Sequence, residues 1–85
     1  MENIIAVFKN RNQAMQFASL LKRLGISSRT IGTPRELSVS CGISVVFSYR
    51  FLGQAKMLID RYGYRMDVKL FITSGDLFKK FHQIY

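Results

Sequence analysis

The residues of this chain best suited to chemistry lie in one stretch, Thr33-Pro34-Arg35-Glu36-Leu37-Ser38-Val39-Ser40-Cys41-Gly42. It holds the only cysteine and the only proline of the sequence, together with an arginine, three hydroxyl side chains and a glycine directly after the thiol. A thiolate is a nucleophile and a thiol scarcely one, so the value of Cys41 depends on what stabilises its charge. A free cysteine with a pKa of ~8.5 is mostly protonated at neutral pH. A guanidinium ~6 Å away, at an effective dielectric of ~20, favours the charged form by at most ~2.8 kcal/mol. Arg35 is the candidate for that cation, and Ser38, Ser40 and the Gly42 amide are candidate donors to sulfur. Pro34 fixes the backbone where the loop begins, and Gly42 leaves room beside the thiol. The same residues also fit a plainer reading, in which Cys41 is a small buried apolar side chain, Arg35 a surface charge, and Pro34 and Gly42 shape a loop.

A lone cysteine allows neither an internal disulfide nor a multi-cysteine zinc site, so no metal is expected. It does suffice for a carrier, which accepts one sulfur atom as a persulfide and passes it on, whereas an internal dithiol cycle needs two cysteines. Other constellations are thinner. His82 stands alone, which suits a surface or packing role. No glycine-rich phosphate loop and no carboxylate pair with a plausible base is present, so the chain is not read as an enzyme. Arg61, Tyr62, Tyr64 and Arg65 interleave cations with rings, a pattern of base stacking or, more plainly, of a helix end whose rings pack under arginine stems.

Periodicity supplies the elements that position the loop. Ile4 to Phe8 and Ile43 to Phe47 are short apolar runs suited to buried strands. Ala14, Phe17, Ala18, Leu21 and Leu24 recur at helical spacing, with Asn10 or Asn12 as N-cap and Gly25 as the stop. Leu52, Ala55, Leu58, Ile59 and Tyr62 mark a second helix closed by Gly63. Ile26 to Ile31 alternates weakly, as an edge strand does, and Val68 to Ile72 gives a fourth strand. Ser74 is placed to cap a short terminal helix with Leu77, Phe78, Phe81 and Ile84 on one face and His82 within it. The order β-α-β-β-α-β predicts an α+β, ferredoxin-like sandwich: a four-stranded antiparallel sheet with strands one and three central, two helices on one face, and the short C-terminal helix.

The ten-residue loop resembles the Pro-Arg, apolar-Ser and Cys-Gly signature of a family of small bacterial proteins, named Putative Se/S carrier protein-like and before that a domain of unknown function. The likeness extends over about residues 4–73 and includes Phe8 ending strand one, the helix centred on Ala14 and its end from Leu21 to Gly25. The family pattern leads one to expect an acidic residue near Gln16 or Phe17, where this chain has none. The resemblance implies a sulfur or selenium carrier or adaptor, with Cys41 as the thiol and Pro34, Arg35, Ser38, Ser40 and Gly42 around it. It implies no cofactor beyond a covalent persulfide or selenide on Cys41. The partners are then a donor protein, such as a cysteine desulfurase, and an acceptor.

Composition sets the outer limits. The 85 residues form one domain, 1–85, with 48% hydrophobic and 21% charged residues, a globular balance. No apolar run approaches the ~20 residues of a membrane helix, and Met1-Glu2-Asn3 opens without a basic leader, so a soluble cytoplasmic protein is expected. Thirteen Lys/Arg against five Asp/Glu give a net charge of +8, which attracts RNA, acidic proteins or anions alike. An RNA-recognition motif shares the predicted element order but wants Lys/Arg-Gly-Phe-Gly/Ala-Phe-Val-x-Phe, and Gly42-Ile43-Ser44-Val45-Val46-Phe47-Ser48-Tyr49 keeps only the glycine and the later rings. A homo-oligomer joined through the edges of strands two and four is a further reading.

Overall fold

The computed structural model describes residues 2–34, 37, 42–73 and 81–84, with the backbone alone at 81 and 82. Five strands and two helices follow in the order β1 (Asn3–Phe8), α1 (Arg11–Arg23), β2 (Ser28–Gly32), β3 (Ile43–Ser48), α2 (Leu52–Arg61), β4 (Val68–Thr73) and β5 (Phe81–Gln83). The sheet runs β2-β3-β1-β4-β5 and every pairing is antiparallel. The fold is therefore α+β, and the strands expected at the centre are neighbours there, with Ala6 opposite both Val45 and Leu70. Ile5, Val7, Val45 and Phe47 are all at most 2% exposed.

Alternation along β1 and β3 sends side chains to two different cores. Ile4, Ala6, Phe8, Val45 and Phe47 meet Ala14, Phe17 and Leu21 of α1 and Ala55, Leu58 and Ile59 of α2 on one face. Phe8, Phe17, Phe47 and Tyr64 form its aromatic centre, with ring centroids 5.2–6.3 Å apart in tilted or edge-on arrangements. On the other face, which no helix covers among the described residues, Ile5, Val7 and Val46 form a smaller cluster with Ile31 and Phe71. Burying each such side chain contributes about 1.5–3 kcal/mol, so both faces matter to stability.

Both helices end in the same way. Gly25 and Gly63 each adopt φ +75°, and the residues after them turn back to the helix, Ile26 N–H to the Leu21 carbonyl and Tyr64 N–H to that of Ile59. This is a Schellman closure, which needs a residue tolerant of positive φ and drives the next side chain inward. Ile26 and Tyr64 are accordingly 4% and 3% exposed. At its other end α1 is capped by Asn10, whose side chain accepts the Gln13 N–H at 2.8 Å.

Three expectations require correction. Phe81 and His82 are not in a terminal helix: Phe81–Gln83 forms β5, paired through Thr73↔Phe81 and Phe71↔Gln83, while Ser74, Leu77 and Phe78 lie outside the described residues. The sheet thus has a fifth strand, and β4 is an inner strand where an edge was expected. An uncovered edge presents a full row of unpaired backbone groups, and satisfying them outweighs the weak helical spacing of two or three apolar residues. β2 begins at Ser28, two residues later than read, because Ile26 serves the helix closure and packs in the core.

Candidate functional site

β2 and β3 are adjacent antiparallel strands, so the stretch between them must return to where it left. Its neck is closed by the Thr33 N–H, which donates to the Gly42 carbonyl at 2.9 Å, and by the Thr33 and Ser44 hydroxyls, 2.7 Å apart. These bonds continue the ladder that pairs Gly32 with Ile43. Beyond the neck the chain turns sharply: the Leu37 N–H reaches back to the Pro34 carbonyl at 2.9 Å. Leu37 is 8% exposed and packs on Ile5, Val7 and Val46. Leu37 thereby sits on the helix-free face of the sheet, over the central strands.

Among the sequence-derived site residues, the structure places Pro34 half-buried at the start of the turn and Gly42 exposed at the neck. Thr33 lies between them in function, bonded to one and adjacent to the other. A Cβ built on Gly42 meets no described atom within 4 Å, so crowding among these residues does not demand glycine there. Arg35, Ser38, Ser40 and Cys41 lie outside the described residues. Thr33, Leu37 and Ser44 are the residues that the reading of the loop did not single out. A large apolar side chain in a mostly polar loop was the available signal for Leu37, because such a residue requires cover.

A second polar group joins the helix ends. The Tyr64 hydroxyl donates a hydrogen bond to Gln16 Oε1, Gln13 Nε2 donates to Asp67 Oδ2 at 3.0 Å, and Lys9 Nζ stands 3.9 Å from Asp67 Oδ1. Burial, and secondarily the neighbouring Tyr62, push the Tyr64 phenol above its ordinary value, so it stays a neutral donor. Of the two positions near which an acidic residue was expected, Gln16 accepts from Tyr64 and Phe17 is buried in the core. In the Arg61–Arg65 segment Tyr64 packs in the core, while the exposed Tyr62 stacks on it at 6.5 Å and Arg65 faces Asp60 at 3.7 Å.

Among the described residues no three His, Cys, Asp or Glu side chains gather as metal ligands, and no helix is long and apolar enough to cross a membrane. No curated protein and no solved structure matches the chain. A family model does match, over residues 3–67, from β1 through α2 and the whole Thr33–Gly42 loop to the residue before β4. With its loop tied at Thr33 and Gly42 and anchored by Leu37, the chain belongs to the family described as Putative Se/S carrier protein-like.

Proposed function

We propose that the protein is a single-domain, ferredoxin-like carrier of sulfur or selenium in which Cys41 holds the transferred atom. The observation that carries this reading is the family match across the Cys41 loop. The tied neck supports it: the Thr33–Gly42 bond brings the two ends of the Cys41 segment together, and Leu37 packs on Ile5, Val7 and Val46. The Cys41 thiolate attacks the terminal sulfur of a donor persulfide. A new S–S bond forms on Cys41 while the donor's S–S bond breaks, and the donor leaves as a thiolate that takes up the proton Cys41 gave away. Attack on Cys41–S–SH by an acceptor thiolate reverses the roles, and no net oxidation occurs. Selenium follows the same course. Arg35 favours the attacking thiolate, with Ser38, Ser40 and the Gly42 amide donating to sulfur and Pro34 shaping the entry. The chemistry implies a donor that makes protein-bound persulfide, such as a cysteine desulfurase.

The test is intact-protein mass spectrometry after incubation with a cysteine desulfurase and cysteine. A gain of one sulfur atom, removed by dithiothreitol and absent in Cys41→Ser, is expected. An unmodified wild-type protein, or equal labelling of the serine variant, would overturn the assignment.

A further inference from the structure

The outer edge of β2, with the groove beside it, forms a second surface whose character does not depend on the thiol. In an antiparallel ladder, bonded and non-bonded pairs alternate. Thr33 donates to Gly42, so the bonded pairs further along are Ile31↔Ser44 and Arg29↔Val46. The backbone N–H and C=O groups of Ser28, Thr30 and Gly32 therefore point away from β3. No strand lies beyond β2 among the described residues. An open groove of about 630 Å³ runs between this edge and α1, lined by Met15, Ala18 and Lys22 on the helix and by Ile26, Arg29 and Thr30 on the other side.

The lining has a definite chemistry. Ile26 and Ala18 give it an apolar floor, and Met15, 48% exposed, adds an adaptable apolar rim. Lys22 and Arg29 are exposed, and no carboxylate lines the groove. Arg29 is paired with Val46, a member of the helix-free cluster, so it projects on that face, while Lys22 comes from the helix side. The free edge is thus flanked by a cation on each face.

Three occupants can be compared. A second copy would bring together two chains of net charge +8, with Arg29 and Lys22 of each against the other, and charged side chains on an edge are a device against such pairing. A nucleic acid would find no aromatic ring in the lining to stack on, and it has no use for alternating N–H and C=O groups. An extended peptide uses both, since its main chain completes the ladder and alternate side chains fall to the two faces. We infer that β2 accepts an extended acidic segment of a partner protein as an added strand. Its apolar groove-side residues lie over Met15, Ala18 and Ile26, a carboxylate on that same side meets Lys22, and carboxylates on its other side meet Arg29. The strand that would hold this segment is the one that enters the Thr33–Gly42 loop.

The experiment uses a fluorescein-labelled Val/Glu peptide with glutamates at both odd and even positions, so that carboxylates reach both faces, with a Val/Lys peptide of the same pattern as its opposite, read by anisotropy and by amide chemical shifts. Saturable binding of the Val/Glu peptide is expected, with shifts concentrated at Ser28, Thr30, Gly32 and the facing turn of α1. Thr30→Pro removes an outward N–H and no bond to β3, and should weaken binding by about tenfold, the scale of one lost hydrogen bond. Lys22→Glu with Arg29→Glu should lose the Val/Glu peptide and gain the Val/Lys one, which decides the matter even if Thr30→Pro does not fold. Cys41→Ser should bind as wild type does, so failure of persulfide capture and failure of docking are separately visible. Shifts confined to another face, no exchange of preference on charge reversal, displacement by polyuridylate with the same shifts, or a dimer through β2 that excludes the peptide would each overturn the inference.

Discussion

In the proposed carrier, Cys41 and Tyr64 are two ionisable side chains whose protons serve opposite ends. For Cys41 in the proposed carrier, the charged form is the useful one. Arg35→Ala removes a cation that favours it, so alkylation by iodoacetamide at neutral pH should slow and its midpoint move to higher pH. Arg35→Lys should restore part of the rate, because the charge survives without the planar fork. An unchanged pH profile in Arg35→Ala would separate the arginine from the thiol. For Tyr64 the neutral form is the useful one, as its hydroxyl donates to Gln16 Oε1 from within the core. Its raised folded value means that its contribution is complete below the ordinary tyrosine pKa of ~10 and is lost as pH rises through the folded value. Tyr64→Phe keeps the ring, should cost about 1 kcal/mol near pH 7, and should lose less stability than wild type on titration above pH ~10. Urea melts at pH 7 and in the alkaline range check both halves of that statement.

At the scale of elements, the described residues hold the loop through the Leu37 side chain and through the bonds Thr33–Gly42, Thr33–Ser44 and Leu37–Pro34. Leu37→Ala removes the anchor on Ile5, Val7 and Val46, and a partly rimmed site of this kind should cost about 2 kcal/mol. The loss should be local as well as global: hydrogen exchange of the Leu37 amide, bonded to Pro34, should quicken more than that of Val45 or Leu70 in the central strands. Equal acceleration everywhere would show that Leu37 serves only the core. The elements themselves were largely legible because their signals are local. Apolar runs marked β1 and β3, helical spacing marked α1 and α2, and Gly25 and Gly63 marked both helix ends. What escaped notice depends on distant partners. The pairing of Phe81–Gln83 is decided by the exposed edge of β4, which no short-range pattern reveals, and the place of Leu37 is decided by residues of β1 and β3 far away in sequence. The loop was recognisable as a motif, since proline, arginine, cysteine and glycine at fixed offsets form a pattern. The Thr33–Ser44 closure was not, because hydroxyl residues are common in loops of any purpose.

For the molecule as a whole, the charge of +8 is the property with the widest reach, and it bears on whether the family reading or an RNA-binding one governs. A basic domain of this size will associate with single-stranded RNA at low salt, since each neutralised phosphate releases counterions. Association alone therefore decides nothing, and the discriminating quantity is stacking. RNA-binding sheets of this element order stack bases on rings in the middle of their central strands. Here the helix-free face carries Ile5, Val7 and Val46 at those positions, and Leu37 covers them. The exposed rings among the described residues, Tyr49 and Tyr62, lie beyond the strands, after β3 and at the end of α2. Polyuridylate binding should accordingly fall linearly in log–log with salt, while Tyr49→Ala and Tyr62→Ala each change affinity by less than ~1 kcal/mol, below the ~1–3 kcal/mol of a stacked base. Charge reversal of Lys22 and Arg29 should lower the salt slope without altering persulfide capture on Cys41. Titrations at several salt concentrations on these variants, run beside the desulfurase assay, check both statements. A ring variant that loses more than a stacked base's share, in a protein whose Cys41→Ser form binds RNA unchanged, would make the sheet a nucleic-acid surface and leave the thiol loop without its proposed role.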